Sequence, residues 1–161
     1  MGTLKDVVDI HVHADPDQTP RSLDVLEAAK LYRDRGARAI LLMNHSDQTA
    51  GMAYLVQKQI PDLDIFGGIV LNHLIGGMNQ HAVEHFTRIS GGRGRIVYMP
   101  TVGSEHEVRQ GGNPSGPYVS VSKDGKLLPE VLDMIDVVAG LGLVLSTGHS
   151  SPEEIVMLAQ E

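Results

Sequence analysis

Apolar runs and helix-patterned segments alternate along this chain, five times over. The first run, "VVDIHVHA" over residues 7–14, puts Asp9, His11 and His13 on every second position. In a strand those three share one face, with Val8, Ile10 and Val12 on the other. "SLDVLEAAKLYRDRG" follows, with Leu23, Leu26 and Lys30 or Leu31 at helical spacing and Gly36 as a C-terminal stop. "RAILLMNHS", "DIFGGIVLNH", "GRIVYMPTV" and "LVLSTGHSS" read as four further strands, and "TAGMAYLVQKQIP", "NQHAVEHFTRIS" and "PEVLDMIDVVAGLG" as helices between them. Pro129 suits a first helical position, and Ser151 with Glu154 forms a capping box that opens a last helix. A Gly/Pro/Ser-rich excursion over residues 109–128 interrupts the alternation, with Asp124-Gly125 as a hairpin turn.

Strands two to five are almost unbroken in apolar residues, as in a parallel sheet covered on both faces. With short connections between the units, the expected fold class is α/β, organised as one domain over residues 1–161.

Composition narrows the chemistry. A net charge of -7 argues against a nucleic-acid partner, because phosphate backbones are held by clustered Lys and Arg. No apolar run reaches the roughly 18 residues of a membrane span, and "MGTLKDVVDI" lacks the features of a secretion signal. A cytoplasmic location and no membrane partner are the expectation. With no cysteine in the chain, thiolate nucleophiles and Cys-ligated zinc are excluded, so any metal must be held by His, Asp or Glu.

Histidines collect where parallel α/β folds place their sites, at the carboxyl ends of strands. These are His11 and His13, His45, His73 and His149, with His106 a few residues beyond the fourth strand. A polar strand face meeting water is one reading of the first pair. A buried face is the other, and there unpaired imidazoles are costly unless a cation engages them. Asp9 would then orient a ligand as an outer carboxylate. His149 suits a ligand or a cap, His45 a substrate or metal contact, and His106 a loop over the site mouth; His73 carries less. "HAVEH", residues 81–85, matches an inverted zinc-protease motif, but a helix between strands three and four belongs on the outside of the sheet, so His81 and His85 are expected in solvent.

"DIHVHADPD", "LLMNH" and "STGHSSPEE" resemble the amidohydrolase superfamily of metal-dependent barrels. "FGGIVLNHLIGGMN", "VYMPTV" and "DGKLLPEVLDMI" are similar to a branch of it described as metal-dependent hydrolases, and the likeness runs along the whole chain. The resemblance implies His11, His13 and His149 as metal ligands and a divalent metal, zinc or else manganese, as cofactor. It implies a metal-activated water attacking an amide, lactone or related ester in a small-molecule substrate, with Asn72 and Thr101 on the substrate side. The family's sixth-strand histidine and eighth-strand aspartate have no counterpart, since a full barrel takes eight units in about 250 residues. The five β/α units are then a TIM-barrel-like parallel sheet, a partial barrel: either a fragment or truncated product, or a unit that completes itself with another copy. A homo-oligomer is the expectation, with His45 or His106 as the proton acceptor in place of the aspartate. Two rival readings stand beside it. One is a phosphoesterase of the polymerase-and-histidinol-phosphatase type, which "MNHSD" resembles with Asn44 where that family has aspartate. The other is a metal-binding half-barrel without activity.

Overall fold

The computed structural model describes residues 3–111 and 114–161; Gly112 and Asn113, within the Gly/Pro/Ser-rich excursion, lie outside the described residues. Five strands, β1 (Val8–Val12), β2 (Ala39–Leu42), β3 (Asp64–Val70), β4 (Gly94–Tyr98) and β7 (Val144–Ser146), form one sheet. The order across the sheet is the order along the chain, and the assigned pairings β1–β2, β2–β3 and β4–β7 are parallel. Helices α1 (Val25–Asp34), α2 (Ala50–Gln59), α3 (Gln80–Arg88), α4 (Glu105–Gln110), α5 (Pro129–Gly140) and α6 (Pro152–Gln160) alternate with the strands. A strand order that never reverses is the winding of a β/α barrel, whereas a doubly wound sheet turns back at a switch point. The α/β class and the five-unit, partial-barrel architecture are therefore those the sequence pattern implies. Among the described residues, no helix is long and apolar enough to cross a membrane.

The chain divides into two compact units. Met1–Asn44, Gln48–Gly68 and Phe86–Arg95 make the first; His45–Asp47, Ile69–His85 and Ile96–Glu161 make the second. In the first, Ile40, Leu42 and Ile65 from the sheet pack with Ala28, Ala29, Ala53, Val56 and Ile60 from α1 and α2. Each buried Ile or Leu there contributes about 1.5–3 kcal/mol relative to exposure. In the second, Leu71, Val97, Met99, Val131 and Met134 are sealed from solvent.

Local signals are obeyed closely. Asp24 with Glu27, and Ser151 with Glu154, form reciprocal capping boxes at α1 and α6, and Pro129 opens α5. Asp124 (φ 51°) and Gly125 (φ 73°) make the turn of a two-stranded hairpin, β5 (Ser122–Lys123) with β6 (Lys126–Leu127). Gly36, at φ 83°, follows the end of α1.

Three expectations are corrected. On α1 the buried positions are Ala28 and Ala29, while Leu23 and Leu31 are 38% and 39% exposed. Leu23 precedes the Asp24 cap and so lies outside the helical period. The outer strands are also not covered on both faces: Val8, Ile10 and Val144 are more than half exposed, because β1 and β7 each pair on one side only.

The third correction concerns the Asp9–His11–His13 face. Asp9 pairs with Ile40 and Val12 with Leu42, so three steps along β1 match two along β2. One extra residue in the strand is a β-bulge, and it reverses which face each later side chain takes. Asp9 consequently points to α1, where its carboxylate accepts a 2.5 Å hydrogen bond from the Tyr32 hydroxyl. Its other oxygen accepts from the His11 backbone N–H at 3.0 Å, at the bulge itself. Burial first, then the Asp9 carboxylate, pushes the Tyr32 phenol up to about 12. Asp9 serves the strand and the helix, not the histidines.

Candidate functional site

In the first unit, the imidazoles of His11 and His13 meet with their Nε2 atoms 3.1 Å apart. His11 is exposed and His13 half-buried, so the pair opens to solvent, and a buried polar face is not what brings the rings together. Arg21 Nη2 lies 3.5 Å from His13 Nδ1. A guanidinium only donates, so His13 Nδ1 is the accepting side of that contact. Asp17 in turn holds Arg21, at 2.8 Å from Nε and 2.7 Å from Nη2. Burial raises the Asp17 carboxyl, but the Arg21 bond and charge and the Thr19 and Gln18 backbone N–H groups outweigh it, leaving the group below its ordinary value.

The second unit assembles a larger cluster. Asn72, just past β3, is 1% exposed and forms its hub. Its Nδ2 donates to the His45 carbonyl at 2.9 Å and to Thr101 Oγ1 at 3.0 Å. Its Oδ1 accepts from the backbone N–H of Thr101 at 2.8 Å and of Gly103 at 3.2 Å. Thr101, also 1% exposed, lies 2.8 Å through Oγ1 from His45 Nδ1. The Asn72 and Thr101 polar groups are thus engaged in carrying His45 beyond the end of β2. The His45 and His149 rings stand edge to face with centroids 6.2 Å apart.

His149 follows β7 on a loop that crosses the end of β4. Its N–H donates to the Pro100 carbonyl at 2.9 Å. Gly148, at φ 61°, makes the approach possible, since a Cβ there would lie 2.3 Å from the Met99 carbonyl oxygen. The ring Nδ1 of His149 is in close contact with Glu107 Oε2.

Glu107 is the residue that sequence reasoning missed, and the reason is instructive. "SEHE", residues 104–107, has the form of a capping box. Ser104 plays its half: it caps α4 by accepting from the Glu107 N–H at 3.1 Å, and its hydroxyl donates to the His149 carbonyl at 2.9 Å. The Glu107 carboxylate does not return to the cap, as Glu27 and Glu154 do in α1 and α6. It goes to His149 instead. A carboxylate on Nδ1 fixes the proton there and leaves the Nε2 lone pair as the working atom. Glu107 also lines a cavity of about 290 Å³ with His73, Val102 and Pro117.

His106 is not brought to this cluster. Both its ring nitrogens lie 3.2 Å from Gln110 Nε2, and it lines a separate cavity to which neither His45 nor His149 contributes. His81 and His85 on α3 are exposed, as expected of a helix on the outer side. Asn44, in the place where the phosphoesterase resemblance has aspartate, donates through Nδ2 to the Pro16 carbonyl at 3.2 Å.

The donor set was tested against the expected cation. Two histidine ligands of a tetrahedral zinc, with bonds of about 2.0–2.1 Å, sit about 3.3 Å apart, close to the His11–His13 spacing. His149, backed by a carboxylate, has the outer partner typical of a ligating imidazole. Among the described residues, no group of three or more His, Asp or Glu side chains is gathered to hold a metal ion. Within one unit, the His11–His13 pair supplies two donors at a suitable spacing.

A family model described as a family of unknown function, DUF6282, matches residues 6–161. No curated protein matches the chain, and no solved structure does.

Proposed function

We propose that this chain, which belongs to the DUF6282 family, is a metal-dependent hydrolase acting on an amide, lactone or related ester of a small molecule. The single observation that carries the reading is the diversion of Glu107 from its helix cap to His149. Ser104 keeps its cap bond and its own N–H donates to the Thr101 carbonyl at 2.7 Å, so the Glu107 carboxylate is released to orient the imidazole.

Within the first unit, His11 and His13 would be the donors to a divalent cation; within the second, taken by itself, His149 would offer its ring as a donor. When bound, such an ion lowers the pKa of a coordinated water toward neutrality and polarises a carbonyl oxygen. The chain's own residues do the rest. Glu107 engages Nδ1 of His149 and thereby orients the ring. Asn72 and Thr101 fix the His45 ring, which is the proton acceptor available beside His149.

The test is metal content together with turnover on a panel of amides, lactones and phosphomonoesters with zinc or manganese added. The wild-type chain is expected to retain metal and hydrolyse an amide or lactone. H149A and the H11A/H13A pair should lose metal, and E107Q should lose about 10–100-fold in activity or metal affinity while staying folded. Equal metal content in all four proteins would overturn the reading; turnover of phosphomonoesters alone would transfer it to the phosphoesterase class. Metal retained without any turnover would leave a binding protein.

A further inference from the structure

A cavity of about 520 Å³ lies within the second unit, lined by α4, by residues 118–124 and by the start of α6. Its volume is that of a site for a small molecule. None of His45, Glu107 and His149 lines it. What it could bind follows from which of its charges are already used.

Two of its carboxylates already accept a hydrogen bond on each oxygen. Glu105 accepts from Arg109 Nε through Oε1 and from the Ser120 hydroxyl through Oε2, each at 2.6 Å. The Ser120 bond, with Arg109, holds the Glu105 carboxyl below its ordinary value against the opposing effect of burial. Glu154 accepts from the Ser122 hydroxyl and the Ser151 N–H, both at 2.8 Å. Both carboxylates are thereby held in place by the cavity's own walls.

Three groups remain. Arg109 is pinned by Glu105, by a 2.9 Å bond to the Tyr118 hydroxyl and by stacking 5.0 Å from that ring, which leaves its other N–H donors uncommitted in a fixed place. Lys123 and Asp124 stand together on the hairpin, both exposed, and among the described residues neither side chain has a bonding partner. The Asp124-Gly125 turn fixes where they stand. The lining therefore offers positive donors from Arg109 and Lys123 and the Asp124 carboxylate to the same cavity.

We infer that this cavity binds a small zwitterion of amino-acid or dipeptide type, its carboxylate on Lys123 and Arg109 and its ammonium on Asp124. A simple anion would meet the Asp124 charge, and a simple cation would meet Lys123. A ligand carrying both signs satisfies both. The site stands apart from the hydrolase reading, since it needs neither metal nor turnover.

The experiment is calorimetric titration of the full chain with L-alanyl-L-alanine, its N-acetyl form and its C-terminal amide. Saturable binding of the free dipeptide is expected, with each blocked form at least tenfold weaker. K123Q should weaken the free dipeptide about tenfold yet leave the amide unchanged, because that ligand has already lost the group Lys123 meets. D124N, which keeps a residue that tolerates the left-handed turn, should do the same with respect to the N-acetyl form. Unchanged urea midpoints establish that both variants remain folded. No saturable binding of the free dipeptide, or equal affinity for all three ligands, would overturn the inference. So would variants that bind the free dipeptide as tightly as the wild type.

Discussion

Asn72→Ala removes one small side chain and strands a disproportionate number of partners. The four bonds of the amide end on the His45 carbonyl, Thr101 Oγ1 and the backbone N–H groups of Thr101 and Gly103, all at 2.8–3.2 Å. The Thr101 hydroxyl retains His45 Nδ1 as a partner, at 2.8 Å, so it is not orphaned. Three backbone groups are. A buried polar group left unpaired costs about 1–3 kcal/mol, and a water entering the vacated space can satisfy one of them. The two groups left unpaired put the expected loss at about 2–6 kcal/mol, a large share of the roughly 5–15 kcal/mol that holds a domain together. The assay is urea denaturation of wild type and N72A followed by circular dichroism, with the slope checked so that only the midpoint is compared. A loss below about 1 kcal/mol would show that the amide is not the hub its bonds describe. Thr101→Val provides the contrast: it deletes one hydroxyl and should cost about 1–2 kcal/mol.

Gly148→Ala combines a left-handed residue with a Cβ 2.3 Å from a carbonyl oxygen, so the loop must move; a loss of about 2–4 kcal/mol and a displaced His149 are expected, read by denaturation and by the His149 ring resonances. Tyr32→Phe tests the Asp9 contact through pH. The phenol is raised to about 12 in the fold from an ordinary value near 10, so its contribution is complete below pH 10 and disappears as pH climbs through 12. The stability difference between wild type and Y32F, of about 1 kcal/mol, should accordingly be flat from pH 7 to 9 and shrink above 10. A difference that grows with alkali would contradict the assignment.

The elements were legible in the sequence wherever the cause was local. The Asp124-Gly125 turn, the Ser151–Glu154 box and Pro129 at the start of α5 each act through a few neighbouring residues, and each is realised. The contribution of His45 and His149 to one cluster was readable too, because parallel strands end at a common rim. What escaped depends on tertiary competition. Glu107 carries the letters of a cap and spends them on His149, which only the β7–α6 loop can offer. The exposure of Leu31 depends on where α1 begins, one residue after Asp24. The bulge in β1 is invisible to a period of two, since that period is the assumption it breaks.

The bulge also has an evolutionary corollary. A motif search reads D-x-H-x-H as one word, but the backbone parses it as an aspartate belonging to α1 and a histidine pair belonging to the opposite side of the strand. In an alignment of the family, Asp9 should change hands together with Tyr32, as one partnership under selection for packing. His11 and His13 should vary, or refuse to vary, on their own schedule.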